Sequence, residues 1–321
     1  MAKRRMGIIG FLFCLCLCLL PSHVKAVSTT SAAEPISPTQ NCTLTIAYGY
    51  DGKAFADVPV KLYKIADVSA DFQYTLTSSF RNSNLVLNGV SAVSEWNVIR
   101  TTLESYIIAN RIQPDASAVT NGEGRITFSA QKPGMYLAVP GEVIQSDAHY
   151  VFGSALIALP GLGTDGKWQY EITVTAKAEV LPPISPDEVT EFKVLKLWKG
   201  DAGRKDRPKS VEVEIFRNGI SYQTVVLSAE KNWSYSWKAP ADNSRWCVME
   251  RNVPSGYKPT VEKKETSFIL TNERHTDSPG NSPGNPPKTG DTSHILLYTV
   301  LMYVSGMALI LLGVIRKRRR A

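Results

Sequence analysis

Three polar side chains in the C-terminal half of the chain each stand in an otherwise apolar row of a short predicted strand. Lys196 lies in EFKVLKLWKG, Glu250 ends RWCVME, and Asn272 lies in TSFILTN. Because successive side chains of a strand point to opposite faces, each of the three shares its face with apolar residues. We therefore expect all three in the core. The apolar residues of these rows are Phe192, Val194, Trp198, Trp246, Val248, Phe268 and Leu270.

A buried lysine, glutamate and asparagine can react with one another. Burial lowers the pKa of a lysine and raises that of a glutamate, so Lys196 can become a neutral nucleophile and Glu250 a protonated acid. Glu250 would polarise the side-chain carbonyl of Asn272, and attack by the amine with loss of ammonia would leave an isopeptide bond. The alternative is a buried salt bridge capped by the asparagine, with no covalent bond.

Other residues offer little support for catalysis. Away from the two chain ends the only histidines are His149 and His275, and no Cys/His cluster has metal-ligand spacing. GLGTDG at 161–166 fits a dinucleotide-binding pattern, but an alternating strand follows it where a helix is needed, so we predict a loop between two strands. We expect no enzyme, metal or cofactor. A disulfide between Cys42 and Cys247 is possible in a secreted protein, but the sequence does not decide whether it forms.

Short alternating segments predict two β domains around these residues. VPVKLYKI, GMYLAVP and SVEVEIFR are typical of sandwich strands. One segment differs, because SAVSEWNVIRTTLESYIIANR places apolar residues at helical spacing and predicts an amphipathic helix inserted in the first domain. The apolar residues of that helix are Trp96, Ile99, Leu103, Tyr106 and Ile107, and the turn signals, Asp-Gly or Asn-Gly, fall at 51–52, 88–89, 121–122, 165–166 and 218–219.

Composition sets the boundaries of these domains. We place the first domain at 42–180 and the second at 191–273. The proline-rich segment 181–190 is predicted to be a linker, since proline disfavours both helices and central strands. Residues 27–41 are polar and predicted to be disordered, and residues 274–285 read as an extended Pro/Gly spacer.

The N-terminus has the three parts of a secretory signal peptide. A basic start is followed by an apolar stretch too short to span a bilayer comfortably, and then by Val24-Lys25-Ala26, with small residues where a signal peptidase reads. We predict a signal peptide over residues 1–26. An uncleaved membrane anchor is the alternative.

The C-terminus combines a short motif, an apolar span and a basic tail. Residues 286–290 read PPKTG, residues 295–315 carry no charge and are long enough to cross a membrane, and residues 316–321 are almost entirely basic. This arrangement resembles the cell-wall sorting signal of Gram-positive bacteria, although Pro286 stands where leucine is usual. The resemblance implies that a sortase cuts between Thr289 and Gly290. An ordinary single-pass membrane protein with a proline-rich stalk is the alternative.

The net charge of +7 comes from these two ends. The predicted mature chain between them is close to neutral. The high isoelectric point therefore reflects the topogenic signals, and no nucleic-acid partner is expected.

The second domain resembles the Cna B-type domain, which also occurs in sortase-assembled pilins. The similarity covers residues 191–273 and is carried by VLKLWKGDAGRKDRPKSVEVEIFRNG, WSYSWKAP, CVMERNVPSGY and SFILTNE. It implies an Ig-like β-sandwich in which Lys196 and Asn272 form an isopeptide bond with Glu250 as the catalytic acid.

The first domain looks like the N-terminal domain of the same pilins, on the segments VPVKLYKIADVSADFQYTLT, GEGRITFSAQKPGMYLAVP and WQYEITVTAK. The chain is thus predicted to be all-β, with two Ig-like sandwiches in tandem. The first strand of this domain has no lysine and its closing strand no asparagine, so we expect no matching crosslink there.

WQYEITVTAK partly matches the motif that supplies the linking lysine of shaft pilins. The resemblance aligns Trp168, Ile172, Val174 and Lys177 with that motif, whereas Thr175-Ala176 replace its Tyr-Pro. Lys177 is a candidate pilin-linking lysine, and an ordinary surface lysine is an equal alternative.

Together the resemblances imply a pilin subunit of the Gram-positive cell wall, of shaft or minor type. Its partners would be sortase, peptidoglycan or other pilin subunits, with a host ligand also open, and it would meet the membrane only before sorting. The competing function is a monomeric wall-anchored adhesin. Ladders of covalent multimers would favour the pilin.

Overall fold

A computed structural model describes residues 35–144, 149–181, 188–201 and 207–274 of the 321-residue chain. The predicted signal peptide, sorting motif, transmembrane segment and basic tail lie outside these residues, as do most of the linker and all but one residue of the spacer. Within the described part, no helix is long and apolar enough to cross a membrane. The described chain is all-β apart from one α-helix and two short 3-10 helices, which confirms the predicted fold class.

The first domain contains fifteen strands, several of two residues only, and the α-helix α1 (Val93–Asn110). A 3-10 turn at Arg81–Ser83 precedes the helix. The strands are β1 (Cys42–Ala47), β2 (Gly49–Tyr50), β3 (Lys53–Ala54), β4 (Pro59–Val68), β5 (Tyr74–Leu76), β6 (Ala116–Val119), β7 (Arg125–Gln131), β8 (Gly134–Pro140), β9 (Val143–Ile144), β10 (His149–Phe152), β11 (Ala155–Leu159), β12 (Gly161–Leu162), β13 (Trp168–Gln169), β14 (Glu171–Thr175) and β15 (Ala178–Leu181).

The core of this domain lies between two sheets. One sheet has the order β14-β1-β7, and the other has the order β11-β8-β4-β5 with β6 beside β4. Leu44 and Ile46 of β1 alternate with more exposed residues and pack with Leu62 of β4 and Tyr136 of β8. The second sheet is apolar on both faces, because α1 covers the side that faces away from β1. GLGTDG lies in the hairpin between β12 and β13, as predicted.

The inserted helix forms where the apolar spacing predicts it. Glu95 caps its start by accepting the backbone N–H of Ala92 at 3.2 Å, and Arg111 ends it in a left-handed conformation with φ of 52°. All five apolar residues named for this helix are buried.

Part of the segment predicted to be disordered is instead ordered. Residues 35–41 of the predicted stretch 27–41 are described, and Ile36 is buried in the core with its N–H donated to the carbonyl of Ala70 at 3.1 Å. Because the segment as a whole is polar, its composition gave no sign that Ile36 would be buried.

The second domain is a sandwich of a four-stranded and a three-stranded sheet, in the orders β19-β16-β22-β21 and β18-β17-β20. The first and last strands are parallel neighbours in the centre of the larger sheet. A 3-10 turn lies at Ala229–Lys231. The strands are β16 (Val189–Lys199), β17 (Ser210–Arg217), β18 (Ile220–Ser228), β19 (Ser234–Pro240), β20 (Trp246–Glu250), β21 (Tyr257–Lys264) and β22 (Ser267–Arg274).

The Asn-Gly turn signal is realised in this domain. Asn218 and Gly219 join β17 to β18 with φ of 53° and 78°. Positive φ at both central residues is the geometry of a type I′ hairpin, which matches the twist of the strands.

The helix of the first domain also packs on the second domain. It lies against β21, the edge strand of the larger sheet. Thr102 is fully buried there, and its Oγ1 accepts the backbone N–H of Val261 at 2.8 Å while donating to the carbonyl of Val98 at 2.7 Å. One apolar cluster therefore continues from α1 into the core of the second sandwich.

Candidate functional site

The two sheets of the second domain bring Lys196, Glu250 and Asn272 together in its core. Lys196 lies on β16 and Asn272 on the neighbouring β22, where Lys196 is the register partner of Leu270 and Trp198 that of Asn272. The two polar residues are therefore two positions apart on the same face of adjacent parallel strands. Glu250 reaches them from β20 in the opposite sheet.

All three side chains are buried, as the strand alternation predicts. The residues Lys196, Glu250 and Asn272 are 2%, 3% and 1% exposed. Glutamate and lysine are almost never this deeply buried without a partner, so the group must be internally paired.

Glu250 bridges the other two residues. Its Oε2 lies 3.2 Å from Lys196 Nζ, and its Oε1 accepts a hydrogen bond from Asn272 Nδ2 at 3.1 Å. Lys196 Nζ also donates to the carbonyl of Leu197 at 3.4 Å. Both partners thus meet at one carboxyl group.

Burial shifts the two titratable groups towards their neutral forms. Desolvation lowers the pKa of Lys196 to about 8, although the Glu250 carboxylate opposes the shift. Desolvation likewise raises the pKa of Glu250, against the Lys196 charge and the hydrogen bond from Asn272. The ion pair can therefore become a neutral amine and a carboxylic acid by moving one proton over a short distance.

The amide of Asn272 is free to accept that acid proton as a hydrogen bond. Among the described residues, Asn272 Oδ1 has no hydrogen-bond partner. The two ends of an amide are nearly identical in shape, so rotation about its terminal bond exchanges them. After rotation Oδ1 faces Glu250, and a protonated Glu250 can donate to it.

An aromatic ring lies against the lysine amine. Lys196 Nζ lies 4.6 Å from the ring centroid of Trp198, which is a cation–π distance for the ammonium form. Trp198 in turn makes edge contacts with Trp233 and Tyr257, with ring centroids 5.4 Å and 5.2 Å away. The ring beside the amine is therefore part of a group of three packed aromatic side chains.

Lys177 lies in the other domain, apart from this group. It is exposed, in the two-residue break between β14 and β15, where the chain passes from one sheet to another. Its carbonyl accepts the backbone N–H of Gly153 at 3.0 Å, which fixes the backbone while the side chain faces solvent. Thr289 and Gly290 lie outside the described residues.

The two cysteines of the described residues are not joined to each other. Cys42 is buried at the start of β1 and Cys247 is half-buried in β20, and both are free thiols. Burial raises the pKa of Cys42 to about 11 and that of Cys247 to about 12, so neither is a ready nucleophile. No group of His, Cys, Asp and Glu within the described ranges could hold a metal ion.

Two residues beside the site were missed in the sequence. Asp201 is 2% exposed and is paired with Arg207. Both stand in the polar stretch KGDAGRKDR, which reads as a solvated loop. The only available signal was that this charged stretch directly follows the strand that carries Lys196.

A family model matches the part of the chain that contains Lys196, Glu250 and Asn272. The family model of the Cna protein B-type domain matches residues 192–273, which contain all three buried polar residues. A curated relative, a collagen adhesin of Staphylococcus aureus, is 20% identical over 291 residues. That match covers 75% of this chain, and the chain spans only 24% of the length of the relative.

Two solved structures illustrate the structural matches. The full-length major pilin SpaD of Corynebacterium diphtheriae is 10% identical, with 75% of this chain and 99% of that chain covered and a TM-score of 0.28. The shaft pilin SpaA of Lactobacillus rhamnosus GG, solved as a double mutant, is 15% identical, with 75% and 100% covered and a TM-score of 0.24.

Proposed function

We propose that this chain, whose residues 192–273 form a Cna B-type domain, is a structural pilin subunit of a Gram-positive cell surface. Sortase joins it to peptidoglycan or to other subunits through Thr289. Its second domain stabilises itself with an isopeptide bond between Lys196 and Asn272. The chain acts as an enzyme only in this single intramolecular step.

The observation that carries the proposal is the position of Glu250 between a buried lysine and a buried asparagine. Its two oxygens lie 3.2 Å from Lys196 Nζ and 3.1 Å from Asn272 Nδ2. A buried ion pair alone stabilises a domain weakly, because desolvation offsets most of the attraction. A covalent bond between Lys196 and Asn272 would stabilise the domain and so account for the burial of these three groups, which a weakly stabilising ion pair does not.

The reaction starts with transfer of a proton from the Lys196 ammonium to the Glu250 carboxylate. The protonated Glu250 donates a hydrogen bond to Asn272 Oδ1 and polarises the carbonyl, and the neutral amine attacks Cγ. Glu250 then carries one amine proton to the departing Nδ2. The Nζ–Cγ bond forms, the Cγ–Nδ2 bond breaks, and ammonia leaves, so that no cofactor or outside reactant is consumed.

Mass spectrometry of the full chain tests this proposal. After denaturation and proteolysis, wild-type protein should yield a peptide that joins Lys196 to Asn272 and is lighter by one ammonia than its two parts. Glu250→Ala should yield the two separate peptides, because the polarising acid and proton carrier is gone. Closure of the loop by the bond is expected to be worth roughly 4 kcal/mol, by analogy with a disulfide.

A conservative control separates loss of chemistry from loss of structure. Glu214→Gln changes a mostly buried glutamate of the same domain that pairs with Arg251, away from Lys196. It should leave the linked peptide intact. Separate peptides from folded wild-type protein would contradict the proposal and leave the three residues as a buried ion pair.

A further inference from the structure

A second buried carboxylate lies at the end of the strand that carries Lys196. Asp201 is 2% exposed. Arg207 donates a hydrogen bond to each of its carboxylate oxygens, from Nε to Oδ2 at 2.8 Å and from a terminal nitrogen to Oδ1 at 2.6 Å. The hydroxyl of Tyr257 also donates to Oδ2, at 3.0 Å. A carboxylate with three charge-assisted or hydroxyl donors is a rigid point in the structure.

Both partners of Asp201 touch the aromatic ring that lies against the reactive amine. The guanidinium carbon of Arg207 lies 5.4 Å from the ring centroid of Trp198, and the Tyr257 ring meets that of Trp198 edge-on at 5.2 Å. Lys196 Nζ lies 4.6 Å from the same centroid. Trp198 is therefore placed between the Asp201 cluster and the amine.

We propose that Asp201 is a positioning residue for the isopeptide reaction, acting through Arg207 and Tyr257 to hold Trp198 over the Lys196 amine. Asp201 does not touch the reacting atoms. The inference rests on the proposed crosslink, since it assigns a role in forming that bond.

A lysine needs such a restraint because its side chain has four rotatable bonds. In a closed aromatic site the amine stays beside Glu250, water is kept away, and the neutral form persists. If Trp198 swings out, water reaches the amine, the ammonium form is stabilised, and the side chain samples unproductive rotamers.

The electrostatic effect of Asp201 has the opposite sign, which makes the role testable. The negative charge of Asp201 favours the charged form of Lys196 and so raises the pKa of that amine. If Asp201 acted only through its charge, its removal would favour the neutral amine and speed the reaction. If it positions Trp198, its removal slows the reaction.

The domain contains a matched control of the same composition. Arg217 pairs with Asp242, and its guanidinium carbon lies 5.6 Å from the ring centroid of Trp246. This is again an arginine–aspartate pair beside a tryptophan, but it does not contact Trp198 or Lys196. Asp242→Asn therefore removes an arginine–aspartate charge pair of the same domain, here a half-exposed one, without touching the reactive site.

The test follows crosslink formation with time in newly synthesised full chain. Denaturant stops the reaction in each sample, which is then digested and analysed for the peptide that links Lys196 to Asn272. Protease resistance of parallel samples gives the folded fraction. Asp201→Asn should slow formation per folded molecule by roughly tenfold or more, because the site loses its preorganisation. Asp242→Asn should match the wild type.

Two milder changes keep the test valid if Asp201→Asn does not fold. Tyr257→Phe removes one hydroxyl and retains the ring, and should slow formation. Arg207→Lys keeps a cation beside Asp201 and should slow formation less than Arg207→Gln does.

The outcomes separate this inference from the proposed function. A wild-type chain that never forms the linked peptide overturns the proposed function itself. Wild-type crosslinking with equal or faster rates in folded Asp201→Asn, or in folded Tyr257→Phe and Arg207→Gln, overturns only the positioning role.

Discussion

Lys196 is the residue whose burial most needs a chemical explanation. An ammonium in a sandwich core is costly to bury, and its presence needs either a partner or a reaction that removes the charge. Glu250 supplies the partner, and the lowered pKa of Lys196 supplies the route to a neutral amine. If the proposed amide forms, Lys196 no longer carries an ammonium in the core.

Removal of the Glu250 charge should make stability depend on pH in a defined direction. In Glu250→Gln the lysine should stay unlinked, and its folded pKa should fall further below the ordinary lysine value because the raising effect of the carboxylate is lost. Below that folded pKa both folded and unfolded chains carry the ammonium, so the burial cost is fully present. Above it only the unfolded chain binds the proton, up to its pKa of about 10.4.

The free energy of unfolding of Glu250→Gln should therefore rise through this window, by up to about 1.4 kcal/mol per pH unit. Urea denaturation between pH 6 and pH 10 measures the slope, a range set by the ordinary lysine pKa of ~10.4. The double variant Glu250→Gln/Lys196→Met has no amine to titrate and should lack this slope. Equal slopes in the two variants would mean that folding does not lower the pKa of Lys196.

At this scale the sequence was informative where a residue broke a pattern. Lys196, Glu250 and Asn272 each stand in an apolar row, so their burial could be predicted from alternation alone. Asp201 stands among other charged residues, and no pattern is broken there. Its burial depends on Arg207 and Tyr257, and tertiary contacts of this kind leave no local signal.

At the scale of elements, the inserted helix also has tertiary contacts that its local sequence pattern does not predict. Its apolar spacing predicts a helix, and the structure has it over Val93–Asn110. The spacing does not say that the helix serves two domains. That double contact comes from its position between the sheet of the first domain and β21 of the second, which only the assembled chain defines.

Thr102 makes the interdomain contact of this helix specific. Strand β21 is an edge strand, and the N–H of Val261 finds its acceptor on Thr102 rather than on another strand. Thr102→Val keeps the size of the side chain but leaves that buried N–H without an acceptor, which should cost about 1–3 kcal/mol. Hydrogen exchange of the Val261 amide should accelerate, and the thermal midpoint should fall.

Thr101→Val is the matched control on the same helix. The hydroxyl of Thr101 bonds only within the helix, to the carbonyl of Asn97 at 3.1 Å. Thr101→Val should leave the rate of hydrogen exchange at the Val261 amide unchanged. Similar effects of both substitutions would mean that helix propensity, and not the contact between domains, is responsible.

At the scale of the whole molecule, the proposed polymerisation would depend on an amine that the next subunit can reach. Lys177 is exposed, and its backbone is fixed between β14 and β15. We expect Lys177→Arg to abolish the ladders of covalent multimers in wall extracts, because a guanidinium is a poor nucleophile, while wall attachment persists. Lys167→Arg, at another exposed lysine of the same domain, should leave the ladders intact. Persistent ladders in Lys177→Arg would remove that residue from the proposed site.

Attachment to the wall should depend on Thr289 in a separable way. Thr289→Ala keeps the backbone carbonyl but removes the threonine side chain at the proposed cleavage position of the motif. A sortase should then fail to cut there, and the chain should stay in the membrane fraction. Fractionation of cells followed by immunoblotting measures this. Wild-type protein recovered with its basic tail intact would contradict sortase processing.

The parallel pairing of β16 with β22 has a consequence for a chain pulled from both ends. Tension enters at the start of β16 and leaves at the end of β22, so it loads the hydrogen bonds between these strands in shear, all at once. If Lys196 is joined to Asn272 as proposed, near the ends of both strands, the pull would pass directly through that bond. The segment between the two residues then lies outside the path of the force. A domain built this way transmits load without lengthening, as a filament tethered at a cell surface requires.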